Sequence, residues 1–308
     1  MAINSTQKRA GWATNKERSN MLMLKVMTWI SLKLGRDAGR VVLYFIAIYF
    51  LIFSPKSRRA SKQYLQLALG RPVRFSDQYQ HFFTFAATIH DRIYLINQRF
   101  GLFDIHVEGA KEIHDHLETG QGLFLAGAHL GSFEVIRSLG KDKDLRVAMF
   151  MHQDNAKKIN AMLSAINPNA GQDIIGLGNV ESMLQVNQKL EDGYAIGVLA
   201  DRTFGDDAVH PVQILGADTI LPLGPFRLAA LLRQKVMFMT GLYLGDNHYS
   251  IHFHPLADFS KIERGQRDVA VKNAVNEYAR LIDYYCRAAP YNWFNFYDFW
   301  PTPSQRNV

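Results

Sequence analysis

One histidine in the chain is followed five residues later by a carboxylate: His129, in Gly122-Leu-Phe-Leu-Ala-Gly-Ala-His129-Leu-Gly-Ser-Phe-Glu134. A neutral imidazole held by a carboxylate can take the proton from an alcohol or amine as that group attacks an acyl carbon. The spacing alone carries little weight, because 11 His and 28 acidic residues in 308 give roughly one such match by chance. Its surroundings carry more. Leu123 to Ala128 are small or apolar and read as a buried parallel strand, and a helical pattern runs from Ser132 to Gly140. His129 therefore falls at the carboxyl end of a strand, where open α/β sheets bind ligands. Inside one helix, five positions place two side chains about 140° apart, so direct pairing requires His129 in the turn and Glu134 on the helix. Gly131 supplies the close turn.

The elements that must hold this segment follow from the rest of the chain. Helices are expected over Ser57 to Leu69 and from Ser76 towards Arg99, the second closed by Gly101. Strand and helix then alternate: Phe103 to Val107, Glu112 to Leu117, Leu123 to Ala128, Ser132 onward, Arg146 to Met151, Ala156 to Ile166, Asp173 to Leu177, Val180 to Leu190 and Tyr194 to Ala200. That alternation predicts an α/β fold with a largely parallel mixed sheet flanked by helices. Val209 to Leu215 reads as extended and Pro225 to Arg233 as helical. Val236 to Leu244 and Tyr249 to His254 form an antiparallel pair across Gly245-Asp-Asn247, and residues 266 to 288 make a last amphipathic helix.

The charge is unevenly placed. Residues 1 to 60 hold 11 Lys or Arg against Glu17 and Asp37, so the excess that gives the whole chain +7 is N-terminal. The same segment contains the uninterrupted apolar stretch Val41 to Phe53, bracketed by Lys33, Arg36, Arg40 and by Lys56, Arg58, Arg59. Thirteen residues make about 20 Å of helix against a hydrocarbon core of roughly 30 Å. An interfacial or re-entrant anchor on an anionic membrane surface fits that length better than a full span. The basic flanks put it on the cytoplasmic face. The first 20 residues lack the apolar region of a removable signal peptide. A basic terminus also suits nucleic acid, but Val41 to Phe53 is a poor groove ligand, and no nucleic-acid partner is expected; a buried hairpin of core helices is the stronger alternative to the anchor. Three segments result: a polar basic stretch over 1–20, a membrane-associated helical anchor over 21–60 and a catalytic domain over 61–308. The single Cys286 excludes an intrachain disulfide and suits helix packing. His252 and His254 share one strand face, yet no third ligand lies nearby in sequence and no metal site is expected.

The segment His129-Leu-Gly-Ser-Phe-Glu134 resembles the His-x-Gly-[Asn/Ser]-aromatic-Glu signature of the lipid A late acyltransferases, the lauroyl and myristoyl transferases within the lysophospholipid acyltransferase superfamily. Gly193-Tyr-Ala-Ile-Gly-Val-Leu-Ala-Asp201-Arg-Thr, Ile214-Leu-Gly216, Leu223-Gly224-Pro225-Phe-Arg227-Leu-Ala229 and Ala289-Pro290-Tyr-Asn-Trp293 look like that family's later elements, in the same order. The resemblance implies a bacterial inner-membrane enzyme, facing the cytoplasm, that moves an acyl group from a thioester on acyl carrier protein or coenzyme A to a lipid hydroxyl, with no further cofactor. It implies His129 as general base and Glu134 as the group that orients its imidazole. Backbone N–H groups near Gly131 and Ser132 would stabilise the oxyanion, with Ser132 a turn residue and not a nucleophile. Lys157, Lys158, Asp201, Arg202 and Arg227 are candidates for substrate binding.

Two departures bear on the acceptor. Family members acting on lipid A commonly carry arginines about 30 residues after the motif Glu, whereas this chain has none between Arg146 and Arg202. The ending Trp293-Phe-Asn-Phe-Tyr-Asp-Phe-Trp300 is similar to that of a divergent branch accompanying aryl polyene synthesis. Alternatives at this point are a lysophospholipid or amine-headgroup acceptor, or a catalytically inert lipid-binding or assembly protein of the same fold.

Overall fold

A computed structural model describes residues 21–136, 138–139, 145–167, 173–177, 180–203 and 207–300. The polar segment over 1–20 lies outside them.

Helices α1 (Met21–Leu34), α2 (Arg36–Phe53), α3 (Pro55–Leu69) and α4 (Phe75–Ile96) come first. There follow β1 (Asp104–Glu108), α5 (Ala110–Leu117), β2 (Leu123–Gly131), a 3-10 turn over Phe133–Ile136, β3 (Val147–His152), α6 (Gln153–Ile166), β4 (Asp173–Leu177), α7 (Val180–Glu191) and β5 (Ala195–Leu199). The chain continues through β6 (Val209–Ile214), β7 (Ala217–Pro222), α8 (Gly224–Leu231), β8 (Lys235–Gly245), β9 (His248–Asp258) and α9 (Arg267–Ala288).

Seven strands form one sheet in the order β1-β9-β8-β2-β5-β3-β4. β8, β2, β5, β3 and β4 run parallel, while β9 pairs antiparallel with β8 and β1 parallel with β9. The α/β fold with a largely parallel sheet is thus as expected. The expected strand at Phe103 to Val107 is present one residue on, but it runs against the parallel set at the sheet edge. The extended stretch near Val209 also takes a form the sequence reading did not anticipate. It pairs with β7 in a separate two-stranded ladder. Its turn places Leu215 and Gly216 at φ 57° and 76°, the left-handed pair of a tight hairpin. Leucine at the first of these positions conceals the turn in the sequence.

Both faces of the sheet are covered, which is why β2 reads as a continuous apolar run. Phe124, Ala126 and Ala128 pack into one core with residues of α3, α7, α8 and α9, including the buried Cys286. Leu123 and Leu125 pack into the other, with α2, α4 and α6.

The helix expected from Ser132 starts instead as the 3-10 turn over Phe133–Ile136, and part of its course, residue 137 and residues 140–144, lies outside the described residues. At Gly131 φ is +73°, and a Cβ would overlap the Gly241 carbonyl oxygen. Only glycine fits where β2 turns this close to β8.

The N-terminal helices are built into the body. α2 buries Gly39, Leu43, Ala47 and Leu51 at four-residue intervals, and α3 runs continuously across residue 60. Arg36 makes two bonds to Asp91 of α4, Nε to Oδ1 at 2.7 Å and Nη2 to Oδ2 at 2.8 Å, with the Asp91 side chain 0% exposed. Tyr249 donates to the same carboxylate. Arg40 donates to Tyr243 and to the Asp246 carbonyl, and Arg58 to the Leu51 carbonyl. Three of the cations that bracket the apolar stretch therefore serve internal contacts. Lys33, Lys56 and Arg59 are exposed.

The opposite face of α2 presents Val41, Tyr44, Phe45, Ile48, Tyr49, Ile52 and Phe53 outward. Among the described residues no single helix is long and apolar enough to cross a membrane; α2 and α3 pass that test only together, bent by 97°.

Candidate active site

His129 lies on β2 two residues before the glycine that turns the chain. Its main chain is pinned on both sides. The Phe294 N–H donates to the His129 carbonyl at 2.8 Å, the Gly131 N–H to the Asn292 carbonyl at 2.8 Å, and the Ser132 N–H to the Gly241 carbonyl at 2.7 Å. Leu130 and Trp293 form a β-bridge. The C-terminal segment thus acts as a further short strand along the end of β2.

The partner of the imidazole is Asp201, just beyond β5, and not Glu134. His129 Nδ1 donates to Asp201 Oδ1 at 2.8 Å, and the His129 main-chain N–H donates to Oδ2 at 3.0 Å. Trp293 Nε1 donates to Oδ2 at 3.1 Å. Two donors converge on Oδ2, so Oδ1 is left to the ring. The pairing arises because β2 and β5 are adjacent parallel strands in register from Leu123 with Ala195 to Gly127 with Leu199. Residues that follow both strands emerge together at the carboxyl edge.

The electrostatics agree with this tautomer. Burial pushes the Asp201 carboxyl up, but the His129 ring, Arg202 and the His129 N–H outweigh it and hold the group well below the usual carboxylate range. Burial and then the Arg202 charge lower the His129 pKa below its ordinary value, with Asp201 acting in the opposite sense. The ring is neutral near pH 7, carries its proton on Nδ1 and keeps its lone pair on Nε2. The side chain is 31% exposed and Asp201 only 3%, so the imidazole is accessible and its partner sealed.

A layer of aromatic rings supports the carboxylate. Trp293 is fully buried, edge-on to Tyr64 and Phe299. Its carbonyl bonds His81 Nε2 at 2.9 Å, and His81 Nδ1 bonds Ser61 at 2.9 Å. Burial lowers the His81 pKa to about 4, so this ring is a neutral donor to the Trp293 carbonyl.

Glu134 is elsewhere engaged. Its Oε1 lies 2.8 Å from Arg92 Nε of α4, with the side chains 14% and 19% exposed respectively. The expectation that Glu134 orients His129 is therefore corrected: the fold brings the carboxylate from β5 to the ring and turns the motif Glu towards α4. The expectation of an oxyanion hole at Gly131 and Ser132 is corrected too, since both N–H groups are already bonded within the protein. The Ser132 hydroxyl is buried without a partner among the described residues.

Of the other expected residues, Arg202 reaches the site region, donating to the Phe294 carbonyl at 3.2 Å and lying over the Tyr297 ring at 5.2 Å. Lys157 is exposed and lines a depression between α6 and α7 with Gln153, Asn160 and Glu181. The Lys158 side chain lies outside the described residues. Arg227 is exposed on α8, whose Phe226, Leu228 and Ala229 enter the core shared with α9. No described contact joins Lys157 or Arg227 to His129. His252 bonds Glu108 and Ser250, and His254 bonds Tyr285, so the two rings serve separate local pairs.

Arg92 and Trp293 were not singled out as site residues from sequence. Arg92 sits in an apolar-looking helix, where a lone arginine reads as a solvated residue. Trp293 belongs to a terminal aromatic pattern in the sequence, and the target of its indole N–H is invisible without the tertiary contact.

No curated protein matches the chain. The model of the bacterial lipid A biosynthesis acyltransferase family matches residues 15–302, nearly the whole length and every element that holds the His129–Asp201 pair, and the chain therefore belongs to that family.

Proposed function

We propose that the protein transfers an acyl group from a thioester, on acyl carrier protein or coenzyme A, to a lipid hydroxyl, with His129 as general base and Asp201 as the residue that orients it. The observation that carries this reading is the 2.8 Å bond from His129 Nδ1 to Asp201 Oδ1, which leaves Nε2 as the basic atom of a ring that is 31% exposed. As the acceptor oxygen forms its bond to the acyl carbon, Nε2 takes the hydroxyl proton and the carbonyl π electrons move onto oxygen. Collapse of that tetrahedral anion restores the carbonyl and breaks the carbon–sulfur bond. The departing thiolate takes the proton back from the imidazolium. No protein nucleophile is needed, and Ser132, with its hydroxyl buried, is spared a covalent role.

The outer face of α2 supports a membrane-surface location. Val41, Phe45, Ile48 and Ile52 lie on one side, 58%, 69%, 42% and 52% exposed, with α2 held to the body by its opposite side. An apolar face this large on a folded monomer marks a contact surface, and Tyr44 and Tyr49 suit the headgroup level. Lys33, Lys56 and Arg59 supply the exposed cations. In this reading the helix lies in the interface and presents the site to lipids diffusing there. Replacing Phe45 and Ile48 together by Asp is expected to release most of the protein from vesicles containing anionic lipid, since each apolar side chain contributes about 1.5–3 kcal/mol on burial. Activity on detergent-dispersed acceptor is expected to stay within about twofold. Sedimentation with vesicles and parallel assays check both parts; unchanged vesicle binding overturns the interfacial placement.

The acceptor follows from charge. A bis-phosphorylated lipid A precursor concentrates negative charge that planar, forked arginine donors bind well. Arg202 donates to the Phe294 carbonyl and lies over the Tyr297 ring, and no arginine lies between Arg146 and Arg202. A lipid with a smaller or less charged head, such as a lysophospholipid or a hydroxylated or aryl-containing lipid, is therefore the expected acceptor. Competition assays with one acyl-carrier-protein donor should give it at least a tenfold higher kcat/KM than the bis-phosphorylated precursor, about 1.4 kcal/mol of discrimination. A higher value for the precursor overturns the assignment.

A further inference from the structure

We infer that Arg92 is the receptor for anionic oxygen in this site, and that Glu134 is the positioning residue that holds it there. The inference rests on the reading of His129 as general base, and it assigns Glu134 a task the imidazole does not require.

Two facts free Glu134 from the ring. Asp201 already occupies Nδ1 at 2.8 Å, and Nε2 must stay open to take the acceptor proton. The only charged group within ion-pair distance of Glu134 among the described residues is Arg92 Nε, at 2.8 Å. The pair joins α4 to the 3-10 turn that leaves the His129 strand directly, so the sequence spacing from His129 to Glu134 fixes where the guanidinium stands.

Acyl transfer at His129 creates a need for such a cation. Attack on the acyl carbon places a full negative charge on its oxygen, and preorganised donors there contribute much of the rate in acyl transfer. The N–H groups next along the chain, those of Gly131 and Ser132, are bonded to the Asn292 and Gly241 carbonyls. A guanidinium carries five N–H donors in a fixed fork. Nε lies 2.8 Å from Glu134 Oε1 in the ion pair yet is buried without a hydrogen-bond partner among the described residues, and the other described neighbour is Met162 Sδ, 3.8 Å from Nη1. The remaining N–H groups have no described protein acceptor, and the side chain is 19% exposed, partly sheltered from water. The Arg92 charge also reaches the imidazole, acting with Arg202 to keep it neutral. The ligand is an anionic oxygen, either that of the tetrahedral intermediate or a phosphate oxygen of the acceptor.

The test is a double-mutant cycle in the full-length protein with Arg92→Ala, Arg92→Lys, Glu134→Gln and the Arg92→Ala/Glu134→Gln pair. Each is assayed on a phosphate-free long-chain alcohol and on a lysophospholipid with the same acyl donor. Arg92→Ala is expected to lose about 10²–10³-fold in kcat, with partial recovery in Arg92→Lys. Its acid limb should move to higher pH, because a cation that held the His129 pKa down is gone. The double variant should be no slower than Arg92→Ala alone, since Glu134 acts through the arginine. A fall in kcat on both acceptors identifies the intermediate's oxygen as the ligand, and a rise in KM confined to the lysophospholipid identifies the phosphate. Multiplied losses in the double variant, or an Arg92→Ala enzyme that matches the wild type on both acceptors, overturn the inference. His129→Ala in the same assay separates this from failure of the base: full activity there removes the mechanism itself, whatever Arg92 does.

Discussion

Asp201→Asn is expected to cost the enzyme nearly as much as His129→Ala, about 10²–10⁴-fold in acyl transfer at pH 7. The size of the effect follows from the hydrogen-bond directions. Two N–H groups, from the His129 main chain and the Trp293 indole, point at Oδ2. An asparagine satisfies them only by placing its carbonyl there, which turns its NH2 towards His129 Nδ1. The ring then accepts at Nδ1 and carries its proton on Nε2, so the atom proposed to take the acceptor proton can no longer do so. Glu134→Gln leaves this tautomer untouched. In the wild type, burial and Arg202 hold the His129 pKa below 6.5. The imidazole is therefore already neutral at pH 7, and, with His129 as the proposed base, kcat/KM should fall only as the pH drops below the range of an ordinary histidine. Single-turnover rates against pH, with circular dichroism to confirm folding, test the point. An Asp201→Asn enzyme within threefold of wild type would show that the carboxylate does not set the ring.

The second large effect is expected at Arg36. Its guanidinium neutralises Asp91, which is sealed in the body beneath α2 and also receives the Tyr249 hydroxyl. Arg36→Met leaves that carboxylate buried without its counter-charge, at a cost of about 3–5 kcal/mol. Whole-domain stabilities are only about 5–15 kcal/mol, so this one change should bring the protein close to unfolding at 37 °C. Arg36→Met with Asp91→Leu should recover most of the loss, because the uncompensated charge is then absent. A chain beginning at Lys56 removes the same partner together with Leu43, Ala47 and Leu51, and is expected to aggregate and not to fold as a free catalytic domain. Thermal unfolding in mild detergent measures both. An Arg36→Met protein within about 1 kcal/mol of wild type would mean that the pair is dispensable.

These expectations differ from the sequence reading of residues 21 to 60 as a membrane-associated helical anchor beside a catalytic domain over 61–308, because α2 packs on α4 and shares its core. Val41 to Phe53 is apolar all round, so its composition is the same whether one face, both or neither is buried. Gly39, Leu43, Ala47 and Leu51 define the inner face only once α4 is in place. Arg36 and Arg40 look like lipid-facing cations because their acceptors, Asp91, Tyr243 and the Asp246 carbonyl, are remote in sequence.

The sequence by itself determined the alternation of strands and helices, the largely parallel sheet and the position of His129 at a strand's carboxyl end. Those follow from local signals: buried strands are continuous apolar runs, and helices carry a 3.6-residue period. Tertiary structure alone decided which carboxylate meets the imidazole. Glu134 is the near neighbour in sequence and Asp201 is 72 residues away, yet adjacency of β2 and β5 brings the distant group to the ring. The turn at Gly131, forced by contact with Gly241, carries the near one towards Arg92. Spacing along a chain fixes neighbours within a helix or a strand, whereas neighbours across a sheet depend on strand order, which no local pattern records.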